Sequence, residues 1–173
     1  KTELEHQLNL AELYALQKQV APHFIFNVIN IISRLISMES YDTAKQMLDS
    51  FAKMLRYTLS DIHSHVTLEQ ELSYVENYIS IQKIRFGNRI DFNIFCDPEI
   101  KSIQIPFFAI QPLVENSIEH GLLKLASGGK ASLTCKRCEK YDEIRLIDNG
   151  IGISKDLLEN IKHTLKTNKK DIL

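Results

Sequence analysis

His23 stands in the stretch Pro22-His23-Phe24-Ile25-Phe26-Asn27, and its neighbours decide how it would be presented. Wound as a helix, this segment puts Phe24, Val28, Ile31 and Leu35 on one stripe and Ile25, Ile29, Ile32 and Ile36 beside it, a broad face for burial. His23, Asn27, Asn30 and Arg34 fall on a separate polar stripe, so the imidazole is expected to face solvent while its helix is held from behind. Imidazole titrates around pH 6.5, is largely neutral at cytoplasmic pH and can attack phosphorus. One turn on, Asn27 is placed to align a water molecule. By itself, a histidine after a proline is more often an ordinary surface residue; the residues permit this chemistry without requiring it.

Two later stretches carry oxygen donors and glycines. From Pro106 to Gly121 the spacing predicts a helix opened by Pro106, with Glu115, Asn116, Glu119 and His120 on one face and Ile110, Leu113, Val114 and Ser117 on the other. Mg²⁺ takes oxygen ligands and usually arrives with phosphates, so Asn116 beside Glu115 suits a metal-phosphate edge. Alone, such a face is usually just solvated. Asp148-Asn149-Gly150-Ile151-Gly152 follows an alternating stretch, and Gly150 and Gly152 permit positive φ and close approach of backbone to a ligand. Asn-Gly in isolation suggests a hairpin turn, but Ser154 caps a helix-like run from Lys155 to Leu165, so strand-turn-helix fits better.

The elements that must hold these groups are of two kinds. Leu4 to Ser37 reads as helix, with Leu4, Leu8, Ala11 and Ala15 spaced as at a coiled-coil seam along which two chains could pair. After Ser40, a plausible N-cap, Ala44, Met47, Leu48, Phe51, Met54 and Leu55 form the stripe of a second amphipathic helix, making a hairpin. Asp61 to Val66 breaks the pattern. Thr67 and Gln70 form a capping box for a third helix through about Arg85, ended by Gly87 and Asn88. Beyond it Ile90 to Phe95 alternates as a strand, and Ala131 to Lys136 and Glu143 to Asp148 read as further strands, so the fold class expected is α+β. A Lys-rich tail from Lys166 to Lys170 is expected to be mobile.

Composition narrows the partners. Lys and Arg number 21 against 22 Asp and Glu, a balance that gives no electrostatic footprint for nucleic acid. Three cysteines, Cys96, Cys135 and Cys138, are too few for a disulfide framework and fit a reducing cytoplasm. No apolar run reaches the roughly 18 residues that cross a bilayer. Because the chain opens within a helical pattern without Met, it reads as part of a longer protein, and a membrane segment upstream stays open.

The segment Leu16-Gln17-Lys18-Gln19-Val20-Ala21-Pro22-His23-Phe24-Ile25-Phe26-Asn27 is similar to the phosphoacceptor helix of the LytS/YesM-like sensor histidine kinases, whose pattern runs L-Q-x-Q-I-x-P-H-F-L-F-N. Tyr78-Ile79-Ser80-Ile81-Gln82-Lys83-Ile84-Arg85-Phe86-Gly87-Asn88-Arg89 resembles that family's Y-x-x-I-Q-x-x-R-F-x-x-R. Gln111 to Gly121 resembles the asparagine box of GHKL ATPases in its Q-P-L-V-E-N-A-I-K-H-G form, and Asp148 to Gly152 their first glycine box.

The resemblance implies two domains. Residues 1–66 would be a dimerisation and phosphoacceptor hairpin that forms a four-helix bundle in a homodimer, and residues 67–173 a GHKL-type α/β sandwich. It implies that His23 takes the γ-phosphoryl of ATP and passes it to an aspartate of a response regulator, that Asn116 holds Mg²⁺, that His120 lies near the phosphates and that Asp148 accepts from the adenine amino group. The chain would be the cytoplasmic part of a membrane sensor. Phe24 stands where other kinase families place an acidic residue, which leaves the base at His23 unassigned, with Glu115 the candidate base or polarising group. Glu119 occupies the usual basic position and is expected to repel phosphate. No second glycine box follows, so the ATPase domain reads as C-terminally incomplete and this chain alone is expected to bind ATP poorly.

Other signals carry less. Cys135-Lys136-Arg137-Cys138 has zinc-like spacing but lies on a strand without a second pair, and His63-Ser64-His65 reads as a polar loop. A phosphatase-biased or pseudokinase scaffold is the alternative reading, with Asn27 in a phosphatase role. A GHKL ATPase of another kind is disfavoured by the hairpin ahead of the asparagine box.

Overall fold

The computed structural model describes residues 22–59 and 65–160. The expected seam from Leu4 to Ala15, the motif residues Leu16 to Ala21, the loop residues Asp61 to Ser64 with His63, and the run beyond Asn160 with its Lys-rich tail lie outside the described residues.

Helix α1 (Pro22–Ser37) and helix α2 (Tyr41–Leu59) form the hairpin. The turn between them is closed by the Ser40 amide on the Leu35 carbonyl at 2.8 Å, and the Ser40 carbonyl accepts from Ala44 N at 3.0 Å as an N-cap residue should. Phe24 and Val28 of α1 meet Ala44, Met47, Phe51 and Met54 of α2 in the core. Val28 and Met47 are wholly buried, worth about 1.5–3 kcal/mol each. The expected burial fails at Leu48, Ile29 and Ile36, which are half exposed in the single chain. Those positions lie on the outer flank of the stripes, beyond the reach of one partner helix.

Strand β1 (His65–Thr67) follows, so His65 is in a strand and not a loop. Thr67 then caps helix α3 (Leu68–Phe86) with the expected capping box: its Oγ1 accepts from Gln70 N at 3.3 Å while Gln70 Oε1 accepts from Thr67 N at 2.9 Å. Helix α3 packs on α2 and on strand β2 (Ile90–Cys96). Strand β3 (Gln104–Pro106) pairs antiparallel with β1, Val66 opposite Ile105.

Pro106 therefore ends a strand, and the expected helix opening there is displaced: helix α4 is Gln111–Asn116, with Pro112 in its first turn. Backbone pairing of β1 with β3 claims residues 104–106 before a helix can form. A π-helical turn, Ser117–Gly121, and a 3₁₀ turn, Leu122–Lys124, continue α4. Strands β4 (Gly129–Arg137) and β5 (Asp142–Asp148) complete a sheet ordered β2-β4-β5, parallel between β2 and β4 and antiparallel between β4 and β5. The parallel pairing demands a crossover, and β3 and α4 lie within it. Ile90, Phe92, Ala131, Leu133 and Cys135 point inward, and one apolar cluster runs from Phe24 to Cys135 across both halves. Cys96 and Cys135 are register partners in this sheet, which accounts for the buried cysteine of the zinc-like pair.

Candidate active site

A cavity of about 560 Å³ opens where α4 and its π-helical continuation approach the end of β5. Asn116, Ser117, His120 and Asp148 supply its polar lining, and Leu113, Leu146, Ile153 and Leu157 its apolar walls. Asn116, His120, Asp148 and Gly152, predicted from separate stretches, are thus brought together. Leu113 was expected on the buried face; it is 56% exposed and belongs to the cavity instead. Ile110, Val114 and Ser117 keep the buried face, and Leu113 lies on its flank.

The glycine turn closes the floor. A Cβ on Gly150 would lie 2.6 Å from Gly121 Cα and 2.8 Å from Asp148 Oδ1, so only glycine fits there. Gly150 N donates to that carboxylate oxygen at 2.9 Å, and Gly152 takes a φ of +71°. Asn149, which the sequence reading passed over, pins the turn to β4: Lys130 N donates to its Oδ1 at 2.7 Å, its Nδ2 donates to Gly128 O at 3.0 Å, and its own N–H reaches Lys130 O at 3.0 Å. Beyond the turn, Ser154 caps residues 155–160 as expected, its Oγ accepting from Leu157 N at 3.4 Å.

Entry to α4 depends on a second residue the reading missed. Glu71 of α3 is 1% exposed; its Oε1 accepts from Tyr57 Oη at 2.6 Å and Phe108 N at 2.7 Å, and its Oε2 from Ile110 N at 3.1 Å. Phe108 has a φ of 59°, a left-handed conformation that costs about 1–2 kcal/mol without glycine and is held by that carboxylate. Burial, reinforced by the Glu71 carboxylate, pushes the Tyr57 phenol above its ordinary value. At the exit, Arg89 Nη2 donates to Leu123 O at 3.2 Å and Leu125 O at 3.1 Å.

Glu115 does not line the cavity. It is half-buried and its Oε1 accepts from Gln111 Nε2 at 2.6 Å. Burial raises its carboxyl above the usual range, the Gln111 bond opposes this, and the nearby charge of Glu119 adds to it. Glu119 also lies outside the cavity lining. The single polar face expected for Glu115, Asn116, Glu119 and His120 is therefore split: two line the cavity and two do not, and burial with the Glu119 and Glu115 carboxylates raises the Tyr78 phenol.

His23 is exposed on α1, as its polar stripe predicted, while Phe24 behind it packs on Phe51 and Tyr78 with ring centroids 6.5 and 5.7 Å apart. Asn27 Nδ2 lies 3.1 Å from His23 Nδ1 and 3.3 Å from Nε2, so the amide steadies the ring without burying it.

A solvent-facing helical histidine on a packed hairpin, joined to a mixed sheet with an asparagine-aspartate-glycine cavity, is the arrangement that the resemblance to sensor histidine kinases led us to expect. Residues 11–90 match the family model described as histidine kinase. Sensor histidine kinase YpdA of Escherichia coli strain K12 is 34% identical over 161 residues, 92% of this chain and 28% of that protein. Sensor histidine kinase/phosphatase LytS of Staphylococcus aureus strain MRSA252 is 36% identical over 157 residues, 89% of this chain and 26% of that one. A solved bacterial phosphotransferase shares the fold at a TM-score of 0.50 and 12% identity, covering 86% of this chain and 74% of its own. The chain belongs with the LytS-like sensor histidine kinases, and it spans a little over a quarter of the length of the curated relatives it matches. No described helix is long and apolar enough to cross a membrane.

Proposed function

We propose that this chain is the phosphoacceptor and nucleotide-binding core of an ATP-dependent protein-histidine kinase, which phosphorylates itself on His23 and passes the group to an aspartate of a response regulator. The observation that carries this reading is the cavity in which Asn116 and His120 meet Asp148 and Gly152. Its residues fit ATP and Mg²⁺. Ser117 Oγ, on the lining, is a buried hydroxyl with no partner among the described residues, and apolar walls flank a carboxylate at the floor.

Bound ATP and Mg²⁺ would supply the phosphoryl group and neutralise its charge. Asp148 would accept from the adenine amine, Asn116 would offer an oxygen to the metal, and His120 would stand beside the phosphates. Gly152 lets the backbone come close, Gly150 packs against Gly121 behind it, and Leu146 and Ile153 give an apolar surface to the purine. His23 presents a ring nitrogen as nucleophile and Asn27 fixes the ring. Glu115, expected as base or polarising group, lies outside the cavity and accepts from Gln111, so the base at His23 stays unassigned.

Exposed Phe26, Ile29, Ile36 and Leu48 support pairing of two hairpins into a four-helix bundle, hence a homodimer. We divide the chain into the hairpin, residues 1–66, and the ATPase half, residues 67–173. We place both in the cytoplasm, anchored through a membrane segment of the longer protein. Contact of the Asn27 amide with His23 favours a second activity, dephosphorylation of the partner, in which Asn27 aligns water. In the full-length protein incubated with γ-labelled ATP, acid-labile label should be lost completely in His23→Ala; label that persists at the wild-type level would sink the assignment.

A further inference from the structure

We propose that Glu71 is a positioning residue that joins the end of α2 to the turn launching α4, and so passes the pose of the hairpin to the nucleotide cavity; this rests on the function proposed above. Its carboxylate is shared between two elements. On one side is Tyr57, near the C-terminal end of α2, whose hydroxyl lies 2.6 Å from Oε1. On the other are the amides of Phe108 and Ile110, directly before Gln111 begins the helix that carries Asn116.

Side-chain packing repeats the connection. The Tyr57 ring lies 5.3 Å from Tyr74, 5.3 Å from Phe107 and 6.2 Å from Phe108 between centroids, so α2, α3 and the turn meet in one aromatic cluster. A buried carboxylate is a costly staple, since packed apolar residues of the same volume are often at least as stable. What the carboxylate adds is directionality: it fixes two amides across a residue in left-handed conformation. Through that carboxylate, the hydroxyl of Tyr57 bears on the same turn. Burial holds the Tyr57 phenol in its protonated form, so it serves as a donor throughout. Arg89 clamps the far end of the same segment, which leaves the entry turn as the end that can respond.

The test uses the full-length protein. Tyr57→Phe removes only the hydroxyl that links α2 to Glu71, so KM for ATP should stay within about twofold while kcat for autophosphorylation falls about tenfold or more. Glu71→Ala also releases the turn and should raise KM and lower kcat together. A second readout is amide exchange: ATP should slow exchange in residues 51–59 of the wild type, and this protection should vanish in Tyr57→Phe. Should Glu71→Ala fail to fold, Tyr57→Phe decides alone. A Tyr57→Phe protein with wild-type kcat and wild-type protection overturns the link. A wild type that binds no ATP and takes no label on His23 overturns the proposed function, and the link with it.

Discussion

His23 and the nucleotide cavity are held in opposite ways. The histidine stands exposed, with Asn27 as its side-chain partner, and only its helix is fixed, by Phe24 and Val28 from behind. The cavity is set by backbone: Gly150 lies against Gly121, Asn149 bonds Lys130 and Gly128, and Glu71 binds the amides of Phe108 and Ile110. A group that must meet two partners in turn needs orientation and access. A pocket that must stay complementary to a charged ligand needs its main chain locked.

The contrast predicts large effects at the backbone of the cavity and small ones around the histidine. Gly150→Val would force a Cβ to within 2.6 Å of Gly121 Cα, where no flexible side chain can yield. Nucleotide binding should be lost, with about 1–3 kcal/mol of stability, as read by calorimetry and denaturant titration. Wild-type affinity in a folded Gly150→Val protein would break the distinction. Asn27→Ala, by contrast, changes an exposed contact and should leave stability within about 0.5 kcal/mol. There we expect phosphatase activity toward the phosphorylated partner to fall about tenfold, and autokinase activity to fall less. Equal loss of both activities would show Asn27 to be structural.

Much of this arrangement is legible in the residues, and what is not has physical causes. The capping box at Thr67 and Gln70 and the alternation in β2 and β4 are local signals, and local hydrogen bonds or pleat satisfy them. Exposure of His23 follows from helical period alone. Glu71 was invisible because an acidic residue in an amphipathic helix ordinarily marks the solvated face, and its partners, Phe108 and Ile110, are distant in sequence. Asn149 was hidden by the Asn-Gly turn signal, although its side chain spans to β4. Pro106 misled because a proline suits a helix start and an edge strand equally, and only pairing with β1 decides. Leu113 and Glu115 lie in the regular α-helical part of α4, where the elements packed against the helix decide which side is covered, and no local pattern announces that.

The central claim is that the cavity between α4 and β5 holds the nucleotide. Calorimetry of Mg²⁺-ATP with the full-length protein and its Asp148→Asn variant tests it most directly, because the substitution keeps shape and removes the charge-assisted acceptor. The account predicts saturable binding to the wild type and affinity reduced roughly 10- to 100-fold in Asp148→Asn, as expected from about 1.5–3 kcal/mol for such a bond. Equal affinity in both proteins would contradict it and put the nucleotide elsewhere.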